Sequence, residues 1–318
     1  MAKETTAPQK KKSGGWDYFM RYKFIYFLMV PALLYLLIFC YLPMFGIVIA
    51  FQDYDVLIGG FASFFESPWV GFKHFANFFT DPYFAEVMTN TFVLGFLRLL
   101  FGFPIPLIFA IVLSECPFRI LKKGAQTISY LPSLLSWVIV YGIFSQLLHP
   151  TNGLVNSIIT SVGGSPINFF EEEGWIRPIL IGTAIWKDFG SGAILFLAAI
   201  TAVNKEELEA AMVDGAGRMR RIFKIVMPTI APIVVIVLIM NISSILNQSA
   251  EQVILFYNDR TGSLIEIIDS YVYRTGILQS SYSYSTAVGT FKALVSLTFI
   301  LGGNLIIKRM GYRDSALF

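Results

Sequence analysis

The polar residues of this sequence that could do chemistry are concentrated in one short segment, residues 206–223, which reads EELEAAMVDGAGRMRRIF. Three glutamates precede two small residues, Ala210 and Ala211, and Gly215 follows three positions after Met212. Small side chains let another surface approach a helix axis closely. The segment therefore favours contact with a second protein, although a solvated connecting helix would also explain its periodicity.

The sequence contains no recognisable catalytic or metal-binding cluster of residues. The two histidines, His74 and His149, stand in different predicted loops, and Cys40 and Cys116 have no metal-ligand spacing. No phosphate loop of the G-x-x-x-x-G-K-[ST] type occurs. We therefore expect neither an enzyme nor a nucleotide site in this chain.

Composition places the polar segment in a membrane protein. Of the 318 residues, 55% are hydrophobic and 14% are charged, and runs of about 20 apolar residues can cross a bilayer. We predict an all-α integral membrane protein, with residues 1–23 as a tail and 24–318 as a single transmembrane domain. The six predicted spans are 24–51, 87–114, 125–148, 177–200, 226–248 and 286–308, with a connecting loop at 201–225.

The distribution of positive charge predicts the orientation. The connections on one side, together with both termini, carry 17 Lys and Arg, whereas the opposite loops carry 4. Positive residues are in excess on the cytoplasmic side of membrane proteins. Both termini and the 201–225 loop are therefore expected in the cytoplasm.

The loop itself is predicted to hold a short capped helix. Asn204 can cap its start, with Glu207 completing a capping box. Gly215 is placed to end the helix in a left-handed conformation.

The order Glu209-Ala210-Ala211, then Gly215, then Ile225 and Pro228, resembles the "EAA" loop of permease subunits of bacterial ATP-binding-cassette (ABC) importers. Met227 stands where that family usually has Leu, a volume-conserving exchange. Four further stretches (126–144, 185–200, 251–258 and 282–296) resemble the sugar-type branch, which imports oligosaccharides released from polysaccharides. The resemblance implies the type I importer (MetI-like) permease fold with six transmembrane helices.

The resemblance also implies partners. They are a second related permease subunit, two ATPase subunits that hold ATP and Mg²⁺, and an extracellular solute-binding protein, all at a bacterial cytoplasmic membrane. This chain would need no cofactor of its own. The residues implied to contact the ATPase are Glu209, Ala210, Ala211, Asp214, Gly215 and Arg218.

An oligosaccharide path would need polar groups and rings within or beside the spans. Adjacent Lys187 and Asp188 point about 100° apart on a helix, which suits pairing with neighbouring spans or lining of a path. Arg98 is expected to face a partner or a cavity. The candidates for sugar contact, each of which could instead be an interfacial anchor, are Trp186, Asn241, Asn247, Glu251, Gln252, Tyr257, Tyr282 and Tyr284.

Two other functions fit the sequence less well than the importer does. An ion-coupled carrier would transport with this chain alone and would leave the EAA segment without a role. A membrane enzyme would need a reactive cluster that the sequence does not contain. An ABC importer subunit for oligosaccharides is the function that the sequence favours.

Overall fold

A computed structural model of the protein describes residues 19–309, and within them the chain is helical, with a single isolated bridge between Gln52 and Trp69. The longer helices and their bounds are α1 Lys23–Phe51, α2 Gly60–Glu66, α3 Lys73–Thr80, α4 Phe84–Ser114, α5 Arg119–Leu134, α6 Trp137–Leu147, α7 Leu154–Ser161, α8 Glu173–Thr201, α9 Lys205–Val213, α10 Arg218–Ser243, α11 Ala250–Phe256, α12 Ile268–Tyr273 and α13 Tyr282–Arg309.

Five of these helices are long and apolar enough to cross a membrane: α1, α4, α8, α10 and α13. They correspond to five of the predicted spans, within several residues at each end. The predicted tail falls almost entirely on residues 1–18, which lie outside the described part of the chain.

The predicted span at 125–148 is not one straight helix. Helices α5 and α6 replace it and meet at an angle of 104°. The chain passes through a 3-10 turn that contains Pro132, after which Leu135 and Ser136 are extended. Apolar periodicity cannot reveal such a break, because the residues on both sides of it remain hydrophobic.

A lysine satisfies the backbone at this break. Lys187 of α8 donates from Nζ to the carbonyl oxygens of Ser133 (2.9 Å) and Leu135 (2.7 Å). Its ammonium also lies 5.6 Å from the centre of the Trp137 ring. Carbonyls released from a helix inside a membrane need such a donor. Lys187 therefore pairs with the neighbouring broken span, which was the first of its two expected roles.

One glycine fixes the approach of α5 to α8. A Cβ at Gly190 would overlap the carbonyl of Ser129 and the amide of Tyr130. Both helices therefore touch through backbone at this point, one turn from Lys187.

Helix α8 is the centre of the packed core. Its buried residues Ile176 and Leu180 join Leu94 of α4 and Val253 and Phe256 of α11 in one cluster. Farther along, Phe196 packs with Ala110 of α4. Helix α1 contributes little, because Ala50 near its end is its only buried residue.

Residues 263–279 carry apolar residues at helical spacing, and a helix is present there as α12 with a following π turn. Half of the residues of α12 are buried, so one face of this helix packs into the protein. Ile268 and Tyr271 are buried, and Arg274 forms a bidentate pair with buried Glu266 at 2.8 and 2.7 Å. Hydrogen bonds from Arg274 to this carboxylate raise the pKa of the guanidinium above its ordinary value.

We expect Lys187→Met to lower the free energy of unfolding by about 2–4 kcal/mol, because two carbonyls at the break lose a charged donor. Lys187→Arg should retain most of the stability. Thermal unfolding of the detergent-purified protein measures both, with Lys224→Met, at an exposed lysine of α10, as the control. A melting temperature of Lys187→Met equal to that of the control would contradict this role.

Candidate functional site

The segment that links α8 to α10 folds as the sequence predicts, with one difference. Asn204 caps α9 by accepting a hydrogen bond from the Glu206 backbone amide at 2.9 Å. Glu206 rather than Glu207 is therefore the partner of the cap. The two other acids of the helix, Glu207 and Glu209, are exposed.

Gly215 ends α9 in the left-handed conformation, with φ of +78°. The Ala216 amide donates to the Ala211 carbonyl at 2.8 Å, and the Gly215 amide donates to that of Met212 at 3.1 Å. This pair of bonds is a Schellman motif. No atom lies within 4 Å of a Cβ placed on Gly215, so the backbone angle alone requires glycine here.

The residues implied for ATPase contact form an exposed surface. Glu209, Ala210 and Asp214 are exposed, and Ala211 is half-buried. Leu208, on the other face of α9, packs against the buried cluster of Val203, Val226 and Ile230. The apolar face therefore fastens α9 to α10, and the alanines and acids remain free to meet another surface.

Arg218 has a partner within this chain. Its Nε lies 3.2 Å from the Glu115 carboxylate, and Arg221 Nη2 lies 3.8 Å from the same group. Glu115 directly follows α4, so these pairs join the connecting segment to the turn that leads into α5. Sequence reasoning missed Glu115, because only the fold brings it to residues about 100 positions away.

A cavity of about 310 Å³ lies between α4, α8 and α10. Apolar groups such as Phe103 and Phe196 form part of its wall. The polar side chains that line it are Arg98, Asp188, Asn241, Ser244, Asn247 and Gln248. A mostly apolar wall with a few converging polar groups is typical of small-molecule sites.

A buried glutamine on the side away from the cavity fixes the position of the Arg98 guanidinium. Its Nη2 donates to Oε1 of Gln252, which is fully buried. Gln252 Nε2 in turn donates to the Leu180 carbonyl and to Thr183 Oγ1, both at 2.8 Å. Gln252, a predicted sugar contact, therefore orients Arg98 and does not itself line the cavity.

Two polar atoms at the cavity have no partner among the described residues. They are Arg98 Nε and Gln248 Oε1. No carboxylate of the described chain lies within 4 Å of the Arg98 guanidinium, although Asp188 faces the same cavity. Unpaired buried groups are costly, so a polar ligand that reached them would be stabilised.

Of the other predicted sugar contacts, Asn241 and Asn247 line the cavity. The remaining ones do not. Trp186 packs edge-on against Phe144, Tyr257 covers Gly262, and Tyr284 donates to Asp81. Tyr282 lies against Tyr54, and Glu251 is exposed at the start of α11. Gln248 is a cavity residue that the sequence analysis missed, one position beyond Asn247.

Comparison with known proteins places the chain in a family. Residues 89–312 match the family model described as "Binding-protein-dependent transport system inner membrane component". Protein LplB of Bacillus subtilis (strain 168) is 45% identical over 289 residues, which cover 91% of this chain and 90% of LplB.

Two further similarities point the same way. The polygalacturonan/rhamnogalacturonan transport system permease protein YteP of B. subtilis (strain 168) is 43% identical, over 91% of this chain and 89% of YteP. A chain in the crystal structure of a bacterial alginate ABC transporter, in complex with an alginate pentasaccharide-bound periplasmic protein, superimposes with a TM-score of 0.84. It is 35% identical, and the match covers 93% of this chain and 97% of that one.

These findings confirm the predicted all-α permease fold and the transport class, and they disfavour an enzyme or an ion-coupled carrier. The family is one of multi-pass membrane components that work with a binding protein. The chain belongs to the family of binding-protein-dependent transport system inner membrane components, and it is a permease subunit of an ABC importer.

Proposed function

We propose that this permease forms half of a transmembrane path for a polysaccharide-derived oligosaccharide and is driven by a separate ATPase through α9. One observation carries the proposal: α8 lines the polar cavity with Asp188 and leads, at its end, directly into the exposed EAA helix. A movement of α9 would therefore reach the cavity through one continuous helix. An ion-coupled carrier would leave this arrangement without use.

Contact with the ATPase is assigned to the exposed residues of α9. Ala210 and Ala211 admit a close approach, and Glu209 and Asp214 present carboxylates to basic groups of the partner. Gly215 sets the sharp turn. Arg218 acts beside them by holding Glu115, so that a load on α9 is shared with α4 and α5.

The oligosaccharide is proposed to pass the cavity at Arg98. Hydroxyl groups of a sugar can donate to Gln248 Oε1 and Asp188, and Asn241 and Asn247 offer both donors and acceptors. The free face of the Arg98 guanidinium suits a carboxylate. That chemistry agrees with relatives that carry polygalacturonan, rhamnogalacturonan or alginate.

The partners are proposed to be a second permease, two ATPase subunits and an extracellular binding protein. The exposure of the first part of α1 supports the second permease, because none of its residues from Lys23 to Met44 is buried within this chain. Both termini and α9 are assigned to the cytoplasm from the distribution of Lys and Arg.

The function is tested by uptake into proteoliposomes that hold this permease with its partner permease and ATPase subunits. Labelled galacturonan, alginate and arabinan fragments serve as probes. Uptake of at least one probe should need both internal ATP and external binding protein. Uptake by this chain alone, insensitive to ATP, would overturn the proposal in favour of a carrier.

Coupling is tested by Gly215→Val, which should abolish transport, because a β-branched residue at φ of +78° costs about 1–3 kcal/mol of strain. Gly217→Val is the matched control: a Cβ there also meets nothing within 4 Å, but its φ is −64°. Transport is measured as uptake, and membrane insertion by the amount of protein in the bilayer. Normal uptake by Gly215→Val would refute the role of this turn.

Charge reversal tests the same surface. We expect Glu209→Lys to abolish uptake while the protein remains in the membrane. Glu172→Lys, an exposed glutamate at the opposite end of α8, should have little effect. Equal uptake by the two variants would argue against docking at Glu209.

The orientation is tested with single cysteines after Cys40 and Cys116 are replaced by Ser. Leu57, before α2, is 93% exposed, and Lys123 of α5 is also exposed. A membrane-impermeant maleimide should label Leu57→Cys in intact cells and Lys123→Cys only after permeabilisation. The reverse pattern would contradict the proposed orientation.

A further inference from the structure

A second cavity of about 540 Å³ lies beside α13 and is more open than the first. One face of α13 forms much of its wall, through Gly289, Lys292, Ala293 and Ser296. Asp269 and Val272 of α12 and Asn247 complete the wall, with Asp269 and Asn247 as its polar members. Its volume lies within the usual range of about 300–1,000 Å³ for small-molecule sites.

Ser296 lies in the wall of this cavity and carries a buried polar atom without a hydrogen-bond partner. The residue is only 8% exposed, and its Oγ has no hydrogen-bond partner among the described residues. Buried hydroxyls are normally bonded. Rotation of this hydroxyl toward the cavity would let a ligand hydroxyl or carboxylate supply the missing partner.

A charged pair stands on the same wall. Lys292 Nζ lies 2.6 and 2.7 Å from the two oxygens of Asp269. Lys292 is ten residues into α13, so it lies about 15 Å along the helix. An ion pair at that depth faces protein or water rather than lipid tails.

Asn247 connects the two cavities, because its side chain lines both of them. Asn247 therefore stands between the polar groups of the first cavity, Arg98 and Gln248, and those of the second, Ser296 and the Lys292–Asp269 pair. The two adjoining cavities, of about 310 and 540 Å³, together offer more room than one sugar ring needs and suit a chain of several rings.

We infer that the second cavity is a subsite for additional sugar units of the transported oligosaccharide, contacted by Ser296 and by the Lys292–Asp269 pair. The inference rests on the proposed function and adds to it a length preference. Chains that reach both cavities gain contacts that a disaccharide in the first cavity cannot make.

The test fills the second cavity without touching the first. Ala293 lines it and is exposed, so Ala293→Leu should obstruct it. Thr298→Leu, an exposed position on the same helix that lines neither cavity, is the matched control. The complete transporter in proteoliposomes is assayed with labelled galacturonan and alginate fragments of two to five units.

We expect Ala293→Leu to reduce uptake of the longest fragments by at least about tenfold, and uptake of disaccharides by less than about twofold.

Ser296→Ala should reduce uptake of the long fragments by about fivefold, the value of one hydrogen bond. Ser243→Ala is its control, because Ser243 Oγ is also buried and unpartnered but lines neither cavity.

Three outcomes would overturn the subsite. One is an equal loss at every chain length, and another is no loss with either variant. The third is loss of co-purification with the second permease, which would assign this face to subunit packing. If the wild-type complex imports no fragment with ATP and binding protein present, the proposed function itself fails, and the subsite falls with it.

Discussion

The rest of the structure depends on how backbone carbonyls are satisfied at the break between α5 and α6. Inside a bilayer, a freed carbonyl without a donor costs several kcal/mol, so a 104° bend needs an internal partner. Lys187 provides it with two short hydrogen bonds. The ammonium is thereby partly buried without being left unpaired.

This constraint places α8 at the centre of the molecule. Because Lys187 and Gly190 hold α8 against α5 and its bend, the next residue after Lys187, Asp188, is directed into the cavity with Arg98. The same helix ends at Thr201 and enters α9. The structural role of α8 and its proposed role in transport thus both depend on which residues face α5 and which face the cavity.

The hydrogen bonds of Gln252 fix the position of a cavity residue in a similar way. Gln252 is bound to α8 through Leu180 and Thr183 and presents its remaining oxygen to Arg98. The guanidinium is oriented by a neutral amide, which leaves its positive charge available to a ligand. A carboxylate in place of this amide would have neutralised it.

Much of the protein could be derived from the sequence alone. Hydrophobic runs identified the spans because a bilayer demands about 20 apolar residues in a row. The cap at Asn204 and the left-handed Gly215 were predictable, since both depend on residues within one turn. The motif around Glu209 indicated the family, because its residues also follow one another at short, fixed spacings in the sequence.

Only the tertiary structure decided which polar residues meet. Asn241 and Asn247 line the cavity, whereas Trp186, Glu251, Tyr257 and Tyr282 do not. Whether a residue reaches the cavity depends on the rotation of its helix about the helix axis. Hydrophobic periodicity determines that rotation poorly when nearly all sides of a helix are apolar. The contact of Arg218 with Glu115 and the break at Pro132 likewise arise from long-range packing, which no local pattern encodes.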